Sequence, residues 1–182
     1  GALVKVDIEH ADICRRFLSV AFENIKVERS PAWLIKRLEA VGMHPVNNIV
    51  DITNYVMHEL GQPLHAFDRT VVETDHFVIR LAKNGEEMTT LDHKKRALTI
   101  EDALVTNGKV PLALAGVMGG LNSEITPQTT AIILEVATWN PLFIRKTSSR
   151  HGLRSDAAQR FEKSLDPEYT GIAFHRACEL IL

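Results

Sequence analysis

The segment 47–68, NNIVDITNYVMHELGQPLHAFD, contains three side chains that could act together on a polar ligand. Thr53 and Asn54 lie within an apolar repeat typical of a helix, although neither residue is favourable in a helix interior. His65 follows the Gly-Gln-Pro sequence at 61–63, which ends that helix. An imidazole beside a hydroxyl and an amide could orient or activate a water molecule, although a loop histidine is more often structural or exposed to solvent.

Glu135 is the only charged residue in the apolar run AIILEVA at 131–137. Burying an unpaired carboxylate is costly, so its position in a strand-like segment needs a physical reason. Either Glu135 lies at a strand end or pairs with an arginine of the segment RKTSSR, or it lines a pocket and accepts a hydrogen bond from a ligand. The residues alone leave both interpretations open.

Two further features could contribute to a site. Ala115 and Gly116 follow an apolar strand, where small residues let a ligand approach the backbone or let neighbouring elements pack tightly. The segment 145–163 is locally basic and is the best candidate for a phosphate contact, although most such clusters are only solvated faces. Its basic residues are Arg145, Lys146, Arg150, Arg154, Arg160 and Lys163.

Several familiar catalytic motifs are absent from the sequence. HELGQPLH resembles a zinc-protease helix, but position 62 is Gln, and Pro63 breaks the helix before the second histidine. GVMGG at 116–120 lacks the Lys-Ser/Thr ending of a phosphate-binding loop, and no GxSxG or CxxC occurs. We therefore expect no catalytic metal and no cofactor in this chain. The two cysteines, Cys14 and Cys178, lie far apart in helix-like contexts.

The composition is that of an ordinary globular protein with a core, since 45% of the 182 residues are apolar and 24% are charged. A net charge of −2 argues against tight, stand-alone nucleic-acid binding. The sequence has no apolar run of membrane length and no signal peptide, so we expect a cytoplasmic location away from membranes. It ends in AFHRACELIL without a helix stop signal, which predicts that 1–182 is one compact module of a longer protein.

The pattern of elements predicts an α+β fold. Ser30 is predicted to cap a first helix, with Pro31 in its first turn and Gly42 after its end, and Gly61 ends a second helix. Strand-like runs lie at 2–8 and in the middle of the chain, as HFVIRLA, KRALTI, VPLALAGV and TAIILEVA, with turn pairs such as Asn84-Gly85 between them. Further helices are predicted after Asn140, over LFIRKTSSRH, after Ser155, over DAAQRFEKSL at 156–165, and after Asp166. The order of helices, then strands, then helices along the chain favours a mixed or antiparallel sheet over alternating βαβ units.

Four long segments in series resemble one known family. They are NNIVDITNYVMHELGQPLHAFD, LAGVMGGLNSEI, ILEVATWNP and IRKTSSRHGLRSDAAQRFEKSLDP. Together they resemble the bacterial phenylalanyl-tRNA synthetase β-subunit, from about residue 30 to about residue 180, over the region of its editing module. The resemblance implies an unusual β-sandwich or mixed-sheet core flanked by helices. It also implies that the module hydrolyses tyrosine wrongly attached to the phenylalanine tRNA.

The resemblance also assigns roles to individual residues. It implies that Glu135 reads the tyrosine hydroxyl, that phenylalanine would leave this carboxylate desolvated and unpaired, and that His65 positions or activates water. The remaining pocket residues that it implies are Thr53, Asn54, Ala115, Gly116, Ser155 and Ala157. Some members of the family have Thr where this chain has Ser155, so the pocket could be slightly looser here. The basic residues Arg145, Lys146, Arg150 and Arg154 would contact the tRNA.

The implied partners are tyrosine-charged tRNA(Phe) and the α-subunit of an α2β2 synthetase, which carries the aminoacylation site and uses ATP and Mg²⁺ outside this module. Two alternatives stay open. The module could be a non-catalytic part that only braces the synthetase or guides the tRNA. It could also be a free-standing deacylase that edits in trans.

Overall fold

The computed structural model describes residues 2–73 and 75–182. The strands within these residues are β1 (Ala2–Leu3), β2 (Lys5–Ile8), β3 (Cys14–Phe22), β4 (Leu64–Asp68), β5 (His76–Leu81), β6 (Glu87–Thr89), β7 (Lys95–Ala97), β8 (Ala103–Thr106), β9 (Pro111–Leu114), β10 (Met118–Gly119) and β11 (Ile132–Trp139). The helices are α1 (Ala32–Ala40), α2 (Asn48–Leu60), α3 (Arg69–Val72), α4 (Pro141–His151), α5 (Asp156–Phe161) and α6 (Pro167–Ile181), with a 3₁₀ turn at Leu121–Ser123. Over these described ranges, every helix is too short or too polar to cross a lipid bilayer.

Two sheets form the centre of the fold. The first sheet has the order β1-β3-β11-β4 and is antiparallel throughout. The second sheet has the order β10-β9-β8-β5-β2 and is mixed, because β2 and β5 run parallel while the other pairs are antiparallel. A small hairpin of β6 and β7 completes the strands. The predicted α+β class with a mixed sheet is confirmed.

Strand β11 separates two apolar clusters, and all eight of its residues are buried. Side chains alternate between the two faces of a strand. Ile132, Leu134 and Val136 therefore join the cluster formed with α1, α2 and α6. Ile133, Ala137 and Trp139 join the cluster formed with the second sheet. The result is three layers, in which the first sheet lies between helices and the second sheet, and Glu135 falls on the face toward the second sheet.

The strand predictions were partly right. The runs containing β5, β7, β9 and β11 are strands, but 2–8 divides into two strands that belong to different sheets. Strands β3, β4, β6, β8 and β10 were missed. The helix-like context assigned to Cys14 is wrong, because this residue begins β3. The pattern of β3 is weak because its residues between Cys14 and Ala21 are exposed or half-buried, so they do not form a clear apolar run.

The helix predictions were largely confirmed. Helices α4, α5 and α6 are capped by the side chains of Asn140, Ser155 and Asp166, as expected. Ser30, however, is not the cap of α1. Pro31 occupies that position without a side-chain bond, and the Ser30 hydroxyl donates to Asp51 over 2.6 Å. Helix α5 is also shorter than the predicted run to residue 165 and ends at Phe161.

A buried carboxylate ties the second sheet to α4. Asp102, 0% exposed, directly precedes β8. It accepts hydrogen bonds from the Thr99 N–H over 2.9 Å, Thr147 Oγ1 over 3.0 Å and His151 Nε2 over 2.9 Å, and it forms an ion pair with Arg150. Burial alone would raise the pKa of Asp102, but these hydrogen bonds and the nearby charges outweigh it and lower the pKa below its usual value.

We expect Asp102→Ala to destabilise the fold by about 3–5 kcal/mol, because it leaves Arg150 and His151 without their buried partner. Urea unfolding at pH 7 would measure this. Glu101→Ala is a matched control, because Glu101 bonds the same Arg150 over 2.6 Å but its side chain is 55% exposed. Its loss should therefore cost under about 1 kcal/mol of stability.

The effect of Asp102→Ala should also depend on pH. A carboxylate with a lowered pKa stabilises the fold above its ordinary pKa of 3.8. The difference from wild type should therefore shrink as the pH falls below that value. Equal effects of the two substitutions at pH 7 would contradict this account.

Candidate functional site

Strands β4 and β11 place His65 and Glu135 directly opposite each other. Directly opposed residues of an antiparallel pair point to the same face, with their Cβ atoms about 4.5–5.5 Å apart. That face also carries Phe67, whose ring meets the His65 ring edge-on with 4.5 Å between centroids. The structure therefore brings together the two residues from which the sequence predicts chemistry, although they are 70 positions apart in the chain.

Glu135 lies at a small cavity between the two sheets, which we call the inner recess. Its volume is about 70 Å³, and its wall is apolar apart from Glu135, His65 and Trp139. An engineered apolar cavity that binds benzene has a volume of roughly 150 Å³. The inner recess is therefore too small for a whole aromatic ring, but it has room for a ring substituent.

A larger cavity, which we call the outer groove, adjoins the recess. It has a volume of about 370 Å³ and is lined by Thr53, Asn54, Ser155 and Ala157, among others. His65, Gly119 and Ala157 belong to the walls of both cavities, so the two adjoin each other. His65 thus lies where the larger groove meets a small recess whose wall includes Glu135.

Glu135 is buried in the middle of β11, with 6% of its surface exposed. No residue in the described part of the chain donates a hydrogen bond to its carboxyl group or forms an ion pair with it. Burial raises its pKa to about 8, so the group holds a proton at neutral pH. The interpretation that placed Glu135 at a strand end or beside an arginine of 145–150 is wrong, because Arg150 pairs with Asp102 and Glu101 instead.

His65 is half-buried, and its ring nitrogens make no hydrogen bond to a residue within 2–73 or 75–182. Burial lowers its pKa to about 4, so the imidazole is neutral at pH 7. The ring rests against Gly119, where an added Cβ would lie 2.6 Å from Cε1 and 2.7 Å from Nε2. A neutral imidazole of such low basicity is better suited to orienting a water molecule than to removing its proton.

Helix α2 carries Thr53 and Asn54 to the outer groove. It begins here because the Asn47 side chain accepts hydrogen bonds from two N–H groups of its first turn, and it ends at Gly61 in the left-handed conformation. The Thr53 hydroxyl donates to the Val50 carbonyl over 2.7 Å, inside the helix. The Asn54 amide is half-buried and makes no hydrogen bond to any described residue, so it is free for a ligand.

Ser155 and Ala157 approach the groove from the opposite side, at the start of α5. The Ser155 hydroxyl donates to the Val117 carbonyl over 2.6 Å and accepts from the Ala158 N–H over 3.1 Å. Both bonds serve the local fold, because they cap α5 and attach it to the loop before β10. The side chain of Ser155 therefore shapes the groove, and its hydroxyl is already bonded to the protein.

Ala115 and Gly116 differ in their relation to the site. Ala115 is buried and contributes to neither cavity wall, whereas Gly116 lines the inner recess. Gly116 has φ +66°, and an added Cβ would lie 2.5 Å from Trp139 Cδ1 and 2.7 Å from Ile144 Cδ1. The small residue at 116 is therefore required by the left-handed backbone and by the packing of Trp139.

The four basic residues predicted to contact tRNA are mostly bonded to the protein itself. Arg150 bonds Asp102 and Glu101, Lys146 reaches Glu101 over 3.4 Å, and Arg145 donates to the Glu162 carbonyl over 3.4 Å. Arg154 is exposed, and its guanidinium has no partner among the residues that the structure describes. Because Arg154 precedes Ser155 at the groove, it is the best placed of the four to meet a phosphate, and this role stays a prediction.

The structure adds two residues that the motifs did not single out. Trp139 lines the recess and Gly119 supports His65. A signal for Trp139 was present, since it follows Glu135 by four positions and so lies on the same strand face. Over the described ranges, no three His, Cys, Asp or Glu residues are grouped as metal ligands would be.

Comparisons with known proteins give a consistent result. The family model described as the B3/4 domain matches residues 13–182. The phenylalanine–tRNA ligase beta subunit of Porphyromonas gingivalis is 46% identical over 181 residues, which cover 98% of this chain and 22% of that protein. The corresponding subunit of Clostridium acetobutylicum is 45% identical over 178 residues, with 97% and 22% covered. The chain thus spans about a fifth of the length of these relatives.

A solved structure shares the fold. An N-terminal fragment of the phenylalanyl-tRNA synthetase beta-subunit from Pyrococcus horikoshii superimposes with a TM-score of 0.54. The match covers 82% of this chain and 51% of that one, at 10% sequence identity. At this identity the likeness concerns the fold alone.

We expect Glu135→Gln to remove a pH dependence from the stability of the protein. A carboxyl whose pKa is raised from 4.5 to about 8 stabilises the fold below pH 4.5, and that stability is lost as the pH rises through 8. Glutamine keeps the shape but cannot ionise. The free energies of unfolding of wild type and Glu135→Gln should therefore differ more and more as the pH rises from 5 to 9. The variant should become the more stable of the two, by up to about 5 kcal/mol at pH 9. If the two curves of unfolding free energy against pH are parallel, the pKa of Glu135 is not raised in the folded protein and this account is wrong.

We expect Gly119→Ala to destabilise the protein by about 1–3 kcal/mol, because its new methyl group would overlap the His65 ring. In a His65→Ala background most of this loss should disappear, and a double-mutant cycle measured by urea unfolding tests that. Gly171→Ala in α6 is the control. Its added Cβ would meet only Arg16 Nη2 at 3.7 Å, so it should be neutral or slightly stabilising. If Gly119→Ala costs the same in both backgrounds, the ring of His65 is not held by this contact.

Proposed function

This chain belongs to the B3/4 domain family, and on that premise we propose that it is the editing module of a phenylalanyl-tRNA synthetase β-subunit. Its reaction would be the hydrolysis of tyrosine wrongly attached to tRNA(Phe). The observation that carries the proposal is the buried Glu135 in the wall of the inner recess, opposite His65. The relatives named as beta subunits of phenylalanine–tRNA ligase support it.

The two cavities fit the two ends of a tyrosyl ester. The recess admits a ring substituent but not a ring, so a tyrosine hydroxyl would enter it while the aromatic ring lies near the junction at His65. The ester and the terminal ribose would then occupy the outer groove, beside Thr53 and Asn54. The free amide of Asn54 can hold the amino group or the ribose of the substrate.

Discrimination would arise from hydrogen bonding in the recess. Because burial holds the pKa of Glu135 at about 8, its carboxyl carries a proton in the empty site and can both donate and accept. A tyrosine hydroxyl can bond to either oxygen of this group, whereas phenylalanine offers only a C–H. The penalty for phenylalanine is therefore a polar group left without a hydrogen bond, and not the stranded negative charge expected from the sequence.

Hydrolysis needs a positioned water, because the aminoacyl ester is already activated. The water oxygen attacks the ester carbonyl carbon, the bond from that carbon to the ribose oxygen breaks, and a proton reaches the ribose oxygen. The products are tyrosine and tRNA(Phe). His65, neutral with a pKa of about 4, would accept a hydrogen bond from the water and hold it in line. No step requires a metal or a cofactor within the module. ATP, Mg²⁺, the α-subunit and the aminoacylation site belong to the complete synthetase of this proposal.

The test is deacylation of tyrosyl-tRNA(Phe) and phenylalanyl-tRNA(Phe) by the complete synthetase that contains this chain. Glu135→Ala should reduce the preference for the tyrosyl ester by about twofold to tenfold, because a hydrogen bond between two neutral groups is lost. Glu135→Gln should retain most of the preference at pH 7, because its amide, like the protonated carboxyl, can donate and accept. Glu101→Ala, on the surface beside α4, is the control and should behave as wild type.

His65→Ala separates water positioning from recognition in the same assay. It should slow hydrolysis of both esters while leaving the preference between them nearly unchanged. A wild-type synthetase that hydrolyses neither ester would favour the alternative of a module that only braces the enzyme or guides the tRNA. A folded Glu135→Ala variant that slows both esters equally would remove Glu135 from the role of reader.

A further inference from the structure

We propose that Trp139 is a second specificity-determining residue of this site, whose indole N–H donates a hydrogen bond to an oxygen atom held in the inner recess. The inference rests on the function proposed above, in that the oxygen is assigned to the ring hydroxyl of a phenolic ligand. It concerns a residue that none of the sequence motifs placed in the pocket.

The first observation is a buried donor without an acceptor. Trp139 is 1% exposed, and its Nε1–H is buried without a hydrogen-bond partner in the part of the chain that the structure describes. Buried polar groups in folded proteins nearly always have a partner. Trp139 also lines the inner recess, and we assign the missing acceptor to an oxygen atom bound there.

The second observation is the position of the indole relative to Glu135. The two residues lie four apart on the same face of β11, and Ala137, the residue between them on that face, has only a methyl group. The register of β11 against β3 shifts between Thr138 and Trp139, but the residue left without a partner is Arg15 of β3, so β11 keeps its alternation of faces. Gly116 leaves the space that the indole needs, since a Cβ there would lie 2.5 Å from Trp139 Cδ1.

The third observation is the polar content of the recess wall. Besides His65 at the junction, Glu135 and Trp139 are its only side chains with hydrogen-bonding groups. An indole nitrogen can only donate, whereas a hydroxyl both donates and accepts. A phenolic oxygen could donate its proton to Glu135 and accept from Trp139, and a phenyl ring could satisfy neither group. The pair therefore selects an aromatic ligand that carries a hydroxyl.

Packing gives Trp139 a structural role that can be separated from this one. Its ring meets Phe17 edge-on with 6.0 Å between centroids, and it fills the space beside Gly116. Phenylalanine at 139 would keep an aromatic ring in this position, but it would remove part of the indole volume together with the donor. Trp139→Phe is therefore combined with a direct measurement on the N–H group of the wild-type chain.

The chain offers an internal control for a direct measurement, because it contains two tryptophans. Trp33 is 43% exposed on α1, in the helical layer. In the ¹⁵N-labelled chain, L-tyrosine should saturably shift the indole N–H resonance of Trp139, and L-phenylalanine should not. The Trp33 resonance should stay in place with both ligands, and Trp139→Phe assigns the two signals.

Binding measurements complete the test. Trp139→Phe should reduce the preference for L-tyrosine over L-phenylalanine by about twofold to tenfold, the range expected for one neutral hydrogen bond. Trp33→Phe should leave the preference unchanged. If L-tyrosine binds in preference to L-phenylalanine while the Trp139 resonance stays still, or if Trp139→Phe keeps the full preference, this inference is wrong and the role of Glu135 stands. If the wild-type chain binds the two amino acids equally, the proposed function and this inference both fail.

Discussion

The Glu135 carboxyl lies in the centre of β11, where every residue is buried, and it receives no hydrogen bond from the described residues. Its burial therefore costs free energy that the rest of the fold must offset. The protein reduces the electrostatic cost by keeping the group protonated, which is the meaning of a pKa near 8. Along β11 its neighbours on the same face are Ile133 and Ala137, and across the sheet it lies between Ser19 and His65, neither of which donates a hydrogen bond to it. The recess leaves space where a ligand could supply that bond. The layers on both sides of β11 hold that strand, and with it the carboxyl, in one position.

A second buried carboxylate shows that this arrangement is not a general property of the core. Asp102 is as deeply buried as Glu135, yet its pKa is lowered, because Thr99, Thr147 and His151 donate to it and Arg150 lies beside it. Its hydrogen bonds join α4 to the second sheet, and Asp102 lines neither the inner recess nor the outer groove. The two carboxyls therefore have opposite charge states at neutral pH for one physical reason, the presence or absence of donors. The one without donors faces a cavity, where a ligand can supply the missing bond.

Two glycines determine the shape of the site by what they leave out. Gly116 makes room for the Trp139 ring, and Gly119 makes room for the His65 ring. At both positions a methyl group would fall within 3 Å of an aromatic atom, so the side chains that form the recess depend on residues without one. The two glycines therefore allow the aromatic rings to pack in these positions, and the recess is the space left beside the packed rings.

The sequence by itself determined the α+β class, most of the helices with their caps, and the residue types available for chemistry, because these depend on local propensity and on short-range patterns. It also carried the motifs that resemble the editing module. Local patterns could not place Glu135 within its strand, and they missed β3 and β4, whose short or weakly apolar runs become strands only by pairing with β11. The pairing of His65 with Glu135, their altered pKa values, the recess and the unpartnered Trp139 N–H were decided by the tertiary structure, since each depends on contacts between residues far apart in the chain.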